Sequence, residues 1–251
     1  MAQPPQSLRP ARRFYDKARA VASEGGFTVS LDGRAIRSPR GRPFELPTRA
    51  LAGLVVGEWN AQGASVDLTT MPATRLAHTA IDGVAEARDD AVGALVDHAA
   101  TDLLCYLAEG PASLVERQER TWGPLLDWGR NALGLDFVRA RGIVHTRQPP
   151  KTIAAVRELA EKCDDFDLAG LAYGAALTGS AVIALALRAG RIAAADAFAA
   201  ARVDEAFQED RWGIDAETAV RTAGLAAETA MLGAWFGALR GRELVTKARP
   251  R

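Results

Sequence analysis

The chain has 251 residues, of which 48% are hydrophobic and 25% charged, a composition that is typical of globular proteins and excludes wholesale disorder. Its 31 Lys and Arg balance its 31 Asp and Glu, which disfavours a strongly basic nucleic-acid binder and an acidic tail protein. The two cysteines, Cys105 and Cys163, lack metal-site spacing and are too few for a disulfide framework.

The N-terminal fifth is basic. Residues 1–50 hold ten Lys and Arg and four Asp and Glu, whereas residues 51–146 hold seven and thirteen. The opposite signs suit internal attraction or the steering of a partner. Four arginines that could bind a nucleic acid or a membrane surface are Arg34, Arg37, Arg40 and Arg42. Aromatic residues among them are sparse, so binding of a nucleic acid or a membrane surface is only weakly supported.

The first elements are predicted to be strands. Residues 1–12 contain no apolar run of signal-peptide length and are expected to form a flexible tail. Apolar and polar residues alternate over 27–31, and Asp32-Gly33 then supplies a turn that tolerates positive φ. Residues 13–22 are candidates to pair with this hairpin, and Phe44 with Leu46 indicates another short strand.

The hydrophobic period then changes to that of a helix. Thr48 is a good N-cap for a helix that should end at Gly63. Residues 66–71 are expected to be extended, with Pro72 as their end. From Thr74 onward the pattern is helical.

One helical stripe is predicted around Asp102. Its apolar members are Val92, Leu95, Val96, Ala99, Leu103 and Tyr106. Further helices are expected over residues 112–133, with a break or kink at Pro124, and from Pro149-Pro150 to Cys163. Asp215 should cap a last helix that ends at Arg240, before Gly241.

The uncharged stretch 168–187 is long enough to cross a bilayer. Glycines, Ser and Thr dilute it, and Gly170-x-x-x-Gly174 is the spacing of a closely packed helix face. One or two buried core helices, with a break near residues 178–180, are therefore favoured over a membrane span.

Residues 192–211 are predicted to form one helix with two faces. The face expected to meet the core consists of Ala199, Val203 and Phe207. The other face consists of Phe198, Arg202, Glu205, Glu209 and Trp212. A face that mixes aromatic and charged residues is either solvated or a recognition surface, and the residues alone favour the solvated alternative.

Together these elements predict an α+β fold. A small β-rich domain with one helix should span residues 13–72, and a larger all-helical domain should span residues 73–240. Residues 241–251 are expected to form a flexible basic tail.

Motifs for small-molecule chemistry are missing from the sequence. It has no P-loop, dinucleotide fingerprint or nucleophile elbow, and His78 and His98 lack metal-ligand spacing. We therefore expect no metal and no cofactor. Cys105 has apolar neighbours and no local cation, so a buried thiol is favoured over a nucleophile. Asp102 is favoured as a structural acid over a catalytic one.

Several short fragments occur in an order and spacing that resemble one family. They are Arg13-Phe14-Tyr15, Leu31-Asp32-Gly33-Arg34, Glu58-Trp59-x-x-Gln62, Met71-Pro72-x-Thr74, residues 101–106, Trp122-x-Pro124-x-x-x-Trp128 and Glu205-x-x-Gln208-x-x-x-Trp212-Gly213. Between residues 13 and 240 the chain resembles the assembly chaperones for the α subunit of the ATP synthase F(1) sector, found in mitochondria and α-proteobacteria.

The resemblance implies a small β-rich N-terminal domain, a helical C-terminal domain and no enzymatic activity. It implies that the chain binds the unassembled α subunit, hands it to the β subunit and so promotes F(1) assembly. It also implies a soluble protein of the bacterial cytoplasm, or of the mitochondrial matrix in a eukaryote. We expect a monomer when free, with neither nucleic acid nor stable membrane insertion.

The resemblance makes Glu205 the important acid and turns its helix face into a client-binding surface. The predicted client-binding residues are Glu205, Gln208, Trp212, Phe198, Arg202 and Glu209. The predicted structural motif residues are Gly213, Asp102, Trp122, Trp128, Asp32 and Gly33. The alternative from another functional class is a cofactor-independent enzyme that uses Asp102 and Glu205 as paired carboxylates.

Overall fold

The computed structural model of the chain describes residues 11–246, with side chains described to residue 240. Six short strands make up the N-terminal part: β1 (Ala11–Arg12), β2 (Ala18–Ser23), β3 (Gly26–Leu31), β4 (Arg34–Ala35), β5 (Glu45–Leu46) and β6 (Ser65–Val66). β3 pairs antiparallel with β2, β4 and β5, and β1 pairs with β6. The predicted tail 1–12 thus lies outside the described residues except for β1.

The predicted hairpin turn is confirmed. Asp32 and Gly33 have φ values of 47° and 90°, and Leu31 faces Arg34 across the turn. The Asp32 carboxylate accepts hydrogen bonds from the backbone N–H groups of Asp16 (2.8 Å) and Lys17 (3.0 Å). These bonds also hold the pKa of Asp32 below its usual range and tie the turn to the start of β2.

Helix α1 (Arg49–Asn60) lies between β5 and β6 and begins at the predicted cap. The Thr48 hydroxyl accepts from the Leu51 N–H at 3.0 Å and donates to the Ala238 carbonyl at 3.1 Å. Buried apolar residues from the N-terminal part and from the helices belong to one hydrophobic cluster, so the two predicted domains share a core.

The expected extended segment 66–71 is wrong beyond Val66. Residues Leu68–Thr70 form a 3₁₀ turn because the Asp67 carboxylate accepts from the Thr69 N–H at 2.9 Å. Glu58 then reaches from α1 to the next helix and accepts from the N–H groups of Ala73 (2.6 Å) and Thr74 (2.7 Å). A carboxylate at a helix N-terminus accepts hydrogen bonds from the free N–H groups and interacts favourably with the positive end of the helix dipole.

The rest of the described chain is mainly helical. The helices are α2 (Pro72–His78), α3 (Arg88–Ala100), α4 (Ala112–Leu133), α5 (Pro150–Glu161), α6 (Asp165–Thr178), α7 (Ala181–Arg188), α8 (Ala194–Ala201), α9 (Val203–Trp212) and α10 (Ala216–Thr246). A π-helical turn, Thr79–Val84, follows α2. Two more strands, β7 (Tyr106–Leu107) and β8 (Ala140–Arg141), pair in parallel. The α+β architecture with a β-rich N-terminal part is as predicted.

The predicted stripe through Asp102 is wrong after Ala99. Helix α3 ends at Ala100, and Leu103–Cys105 form a separate 3₁₀ turn before β7. Asp102 lies between these elements and caps the turn, with its carboxylate accepting from the Leu104 N–H at 3.1 Å. The competition of an Asp side chain for nearby backbone N–H groups explains why the helix does not continue.

The uncharged stretch forms two buried helices, α6 and α7, with the break where it was predicted. Gly179 is left-handed (φ 70°), and the Ser180 hydroxyl caps α7 by accepting from the Ile183 N–H at 3.0 Å. Among the described residues, no helix is both long enough and apolar enough to cross a membrane. Gly170 and Gly174 face α10 at close range, as their spacing predicted.

The predicted single helix over 192–211 is two helices, because Arg202 leaves the helical region (φ −124°, ψ 28°). The break also changes which residues face the core. Ala197, Ala200 and Val203 are buried, whereas Ala199 is exposed and Phe207 only half-buried. The predicted apolar stripe is therefore wrong except at Val203.

The last helix begins as predicted, since the Asp215 carboxylate accepts from the Thr218 N–H at 2.9 Å. It continues past Gly241 to Thr246, so the expected stop at Gly241 is wrong. The part of the predicted basic tail after residue 246 lies outside the described residues.

Candidate functional site

A small pocket lies beside Glu205, where four helices meet a 3₁₀ turn. Its volume is about 280 Å³. The residues that line it are Leu103, Leu177, Thr178, Gly179, Phe198, Ala201, Arg202, Glu205, Leu225 and Thr229. Three predicted client-binding residues, Phe198, Arg202 and Glu205, thus come together even though they lie on two helices rather than one.

Two of the predicted charges neutralise each other. The Arg202 guanidinium donates to the Glu209 carboxylate at 2.5 Å, and both side chains are partly buried. Arg202 also lies over the Phe198 ring, 5.7 Å from its centre. Arg202 and Glu209 therefore hold the pocket wall in place, and their charges are already compensated.

Glu205 is exposed at this pocket and pairs with no Lys, Arg or His within residues 11–240. A carboxylate beside an apolar wall, with no internal cation, is available to a cation from outside. Gln208 is exposed on the same helix. The site thus combines one free negative charge with a depression of mixed polar and apolar lining.

Large apolar side chains are exposed where α9 joins α10. Trp212 is 75% exposed, and Ile214 and Val220, which follow it in the chain, are exposed as well. Gly213 has φ 79° and ψ −179°, a conformation that is essentially restricted to glycine. Trp212, predicted to bind the client, thus lies on the surface, and Gly213 occupies a backbone conformation that favours glycine.

Helix α4 holds the site from behind. The buried Trp122 donates its indole N–H to the Ala200 carbonyl at 2.8 Å, and Gln118 donates to the Asp204 carboxylate at 2.6 Å. An ion pair of 2.6 Å joins Arg117 to Asp210. The other tryptophan of the predicted motif, Trp128, is half-buried against the core.

Comparison with known proteins matches the whole architecture. The family described as ATP12 chaperone protein matches residues 12–130. The crystal structure of Atp12 from Paracoccus denitrificans is 36% identical, with a TM-score of 0.83 over 90% of this chain and 97% of that one. The chain belongs to the ATP12 chaperone family.

Other relatives support this membership. A crystal structure of a protein from Agrobacterium tumefaciens is 37% identical, with a TM-score of 0.84 over 91% of this chain and 86% of that one. A Schizosaccharomyces pombe protein named mitochondrial atp12 is 26% identical over 214 residues, 80% of this chain and 74% of that protein. The resemblance seen in the sequence fragments is confirmed, and the ATP12 family gives the chain the role of a chaperone.

Asp102 does not share a cavity with Glu205 in this ATP12 family member. It is completely buried, and its two carboxylate oxygens accept from the N–H groups of Leu104 and Val182, each at 3.1 Å. Burial raises the pKa of Asp102 to about 6. The carboxyl group joins the 3₁₀ turn to the N-terminus of α7, which is a structural arrangement rather than a pair of converging catalytic acids.

The cysteines are buried, and His78 packs against an aromatic ring. Both cysteines are free and buried, and burial raises the pKa of Cys105 to about 12, so its thiolate is strongly disfavoured. Burial lowers the pKa of His78, whose ring meets the edge of Phe44. Within the described part of the chain, no group of His, Cys, Asp and Glu could hold a metal ion.

The basic block of the N-terminal part is also partly neutralised. Arg40 and Arg42 both pair with Glu86, and Arg37 donates to the Gly41 carbonyl at 2.7 Å. These contacts leave fewer free cations around the hairpin than the sequence alone indicated.

The sequence analysis did not assign three leucines that line the Glu205 pocket to the site. Leu103, Leu177 and Leu225 lie on three elements that are far apart in sequence. Each of them reads as an ordinary core residue in its own helix or turn. Only their common position beside Phe198 connects them with the motif around Glu205.

Proposed function

We propose that this chain is an assembly chaperone that binds the unassembled α subunit of the ATP synthase F(1) sector and promotes assembly of F(1). Membership of the ATP12 family supports a chaperone role, and the resemblance of its motifs supports the α subunit as client. The observation that carries the proposal is Glu205, an uncompensated carboxylate in a pocket whose walls include Leu103, Leu177, Phe198 and Leu225. In this proposal the chain works without a cofactor and without catalysis.

The physical task of such a chaperone is to cover an exposed interface for a limited time. An orphan subunit presents apolar surface that would otherwise aggregate. A small pocket with leucine and phenylalanine walls provides apolar contact area, and a charged group beside it fixes orientation without making the complex too stable to release. The Glu205 pocket has both components.

The proposed place of action is the bacterial cytoplasm, or the mitochondrial matrix in a eukaryote. The relatives with solved structures come from two bacteria, and the Schizosaccharomyces pombe relative is named a mitochondrial protein. We propose a monomer when free, because an interface between two copies would compete with the client for the same apolar surface.

The test is capture of purified α subunit by the full chain and by Glu205→Lys. Glu205 is exposed, so reversing its charge should leave the fold intact, as checked by circular dichroism. We expect the affinity to fall about tenfold or more, since a lost ion pair is replaced by repulsion from the client's cation.

The matched control is Glu24→Lys, which makes the same charge change at an exposed position in the turn between β2 and β3. It should bind as the wild-type chain does. Equal capture by Glu205→Lys and Glu24→Lys would remove Glu205 from the interface. Failure of the wild-type chain to capture the α subunit would overturn the proposed client.

A further inference from the structure

A second and larger cleft lies next to the Glu205 pocket. Its volume is about 790 Å³. Its lining includes Leu103, Leu107, Glu109, Ile143, His145 and Asp204. Leu103 lines both depressions, and Asp204 of the cleft directly precedes Glu205 of the pocket. The two depressions therefore adjoin each other at Leu103.

One wall of the cleft is an apolar loop that is held in place. Ile143 is 99% exposed and Val144 is 75% exposed, although both are large β-branched residues. The loop follows β8 and is fixed by a hydrogen bond from the Gly142 N–H to the Leu107 carbonyl at 2.8 Å. The Tyr106 hydroxyl also lies 3.3 Å from His145 Nδ1. These contacts hold the chain on either side of Ile143 and Val144.

The cleft carries negative charge that the chain does not compensate. Glu109 and Asp204 line it, and neither takes part in an ion pair with any residue between 11 and 240. Asp204 accepts only the hydrogen bond from Gln118 that fixes it to α4. With Glu205 beside them, three carboxylates surround apolar walls, which complements an apolar segment that carries Lys or Arg.

We infer that this cleft is a second docking site for the client, and that it receives an apolar side chain of a client segment flanked by a Lys or Arg. The inference rests on the proposed function, and it extends the client contact from the Glu205 pocket across Leu103 to Ile143. The apolar side chain packs against Leu103, Leu107 and Ile143. The neighbouring cation pairs with Glu109 or Asp204.

The test compares the affinity of purified α subunit for the full-length chain and for two variants, Ile143→Asp and Glu109→Gln. Because Ile143 has almost no contact with its own chain, Ile143→Asp should fold normally and weaken binding about tenfold or more. Glu109→Gln should weaken binding at low salt and have less effect at high salt, since salt screens exposed charges.

The control is Val21→Asp, which places the same charge at a β-branched residue that is 44% exposed on β2 and lines neither depression. It should change the affinity less than about twofold, as expected for a surface substitution outside the interface. If the wild-type chain captures the α subunit and Ile143→Asp captures it equally well, this inference is wrong while the proposed function stands.

Two other outcomes would also overturn the inference. If sedimentation of the chain alone shows a dimer that Ile143→Asp separates, the cleft is an interface between copies. If the wild-type chain captures no α subunit, the proposed function and the second docking site fail together.

Discussion

Gly170 gives the sharpest test of how the helical part is packed. A Cβ atom at this position of α6 would lie 2.8 Å from Cε1 of Phe236 and 3.0 Å from Nε1 of Trp235. Both aromatic side chains are fully buried, and the Trp235 indole donates to the Phe166 carbonyl at 3.2 Å. The rings therefore cannot move aside without disturbing the core.

The expected effect of Gly170→Ala is the difference between two terms. Alanine stabilises a helix interior by about 0.5–1 kcal/mol relative to glycine. Overpacking a filled core costs about 1–3 kcal/mol. The free energy of unfolding should thus fall by about 1 kcal/mol, within limits of about 0 and 2.5 kcal/mol set by the two terms. A loss of about 1 kcal/mol lowers the Tm by about 2–4 °C for a chain of this size.

The matched control is Gly53→Ala in α1, where a Cβ atom would meet nothing within 4 Å. This variant should gain about 0.5–1 kcal/mol, because it keeps the helix term and lacks the packing term. Thermal and urea unfolding followed by circular dichroism measure both. If Gly170→Ala is stabilised as much as Gly53→Ala, the close approach of α6 to α10 is not a packing constraint.

Two further predictions concern capping groups. Thr48→Ala removes the α1 cap and the hydrogen bond to Ala238. It should lower the free energy of unfolding, measured by urea titration, by about 1–2 kcal/mol. Thr48→Ser keeps the hydroxyl and should retain most of the wild-type stability. Asp102 has a folded pKa of about 6, above the value of about 3.9 in unfolded chains. Between these pH values the folded chain holds the extra proton, so stability falls as the pH rises. Relative to that of Asp102→Asn, the free energy of unfolding of the wild-type chain should fall by on the order of 2–3 kcal/mol between pH 4 and pH 7. Parallel pH curves for the two proteins would contradict this assignment.

Local signals predicted much of the fold. Asp32-Gly33 specifies its turn through backbone conformation, and Thr48 specifies the start of α1 through its own hydroxyl. The break near Gly179 was likewise visible from small residues within an apolar run. Each of these features depends on only a few neighbouring residues, so the sequence alone contains the necessary information.

What the sequence did not show depends on contacts between distant segments. The end of α3 before Asp102 follows from a carboxylate that is also used by Val182, eighty residues later. The break at Arg202 goes with its ion pair to Glu209 and its position over Phe198. Helical periodicity does not record such contacts between distant segments. The Glu205 motif was recognised because its residues are neighbours in sequence, whereas the pocket walls come from distant segments and were missed.

The carboxylates around the proposed client-binding surface have a second consequence. In a symmetric dimer formed through this face, Glu109, Asp204 and Glu205 of one copy would lie close to the same three acids of the other, because a twofold interface pairs a surface with itself. Their mutual repulsion opposes self-association, which the exposed Ile143 and Trp212 would otherwise favour. The same charges thus favour binding of a cationic client segment and disfavour dimerisation of the chain.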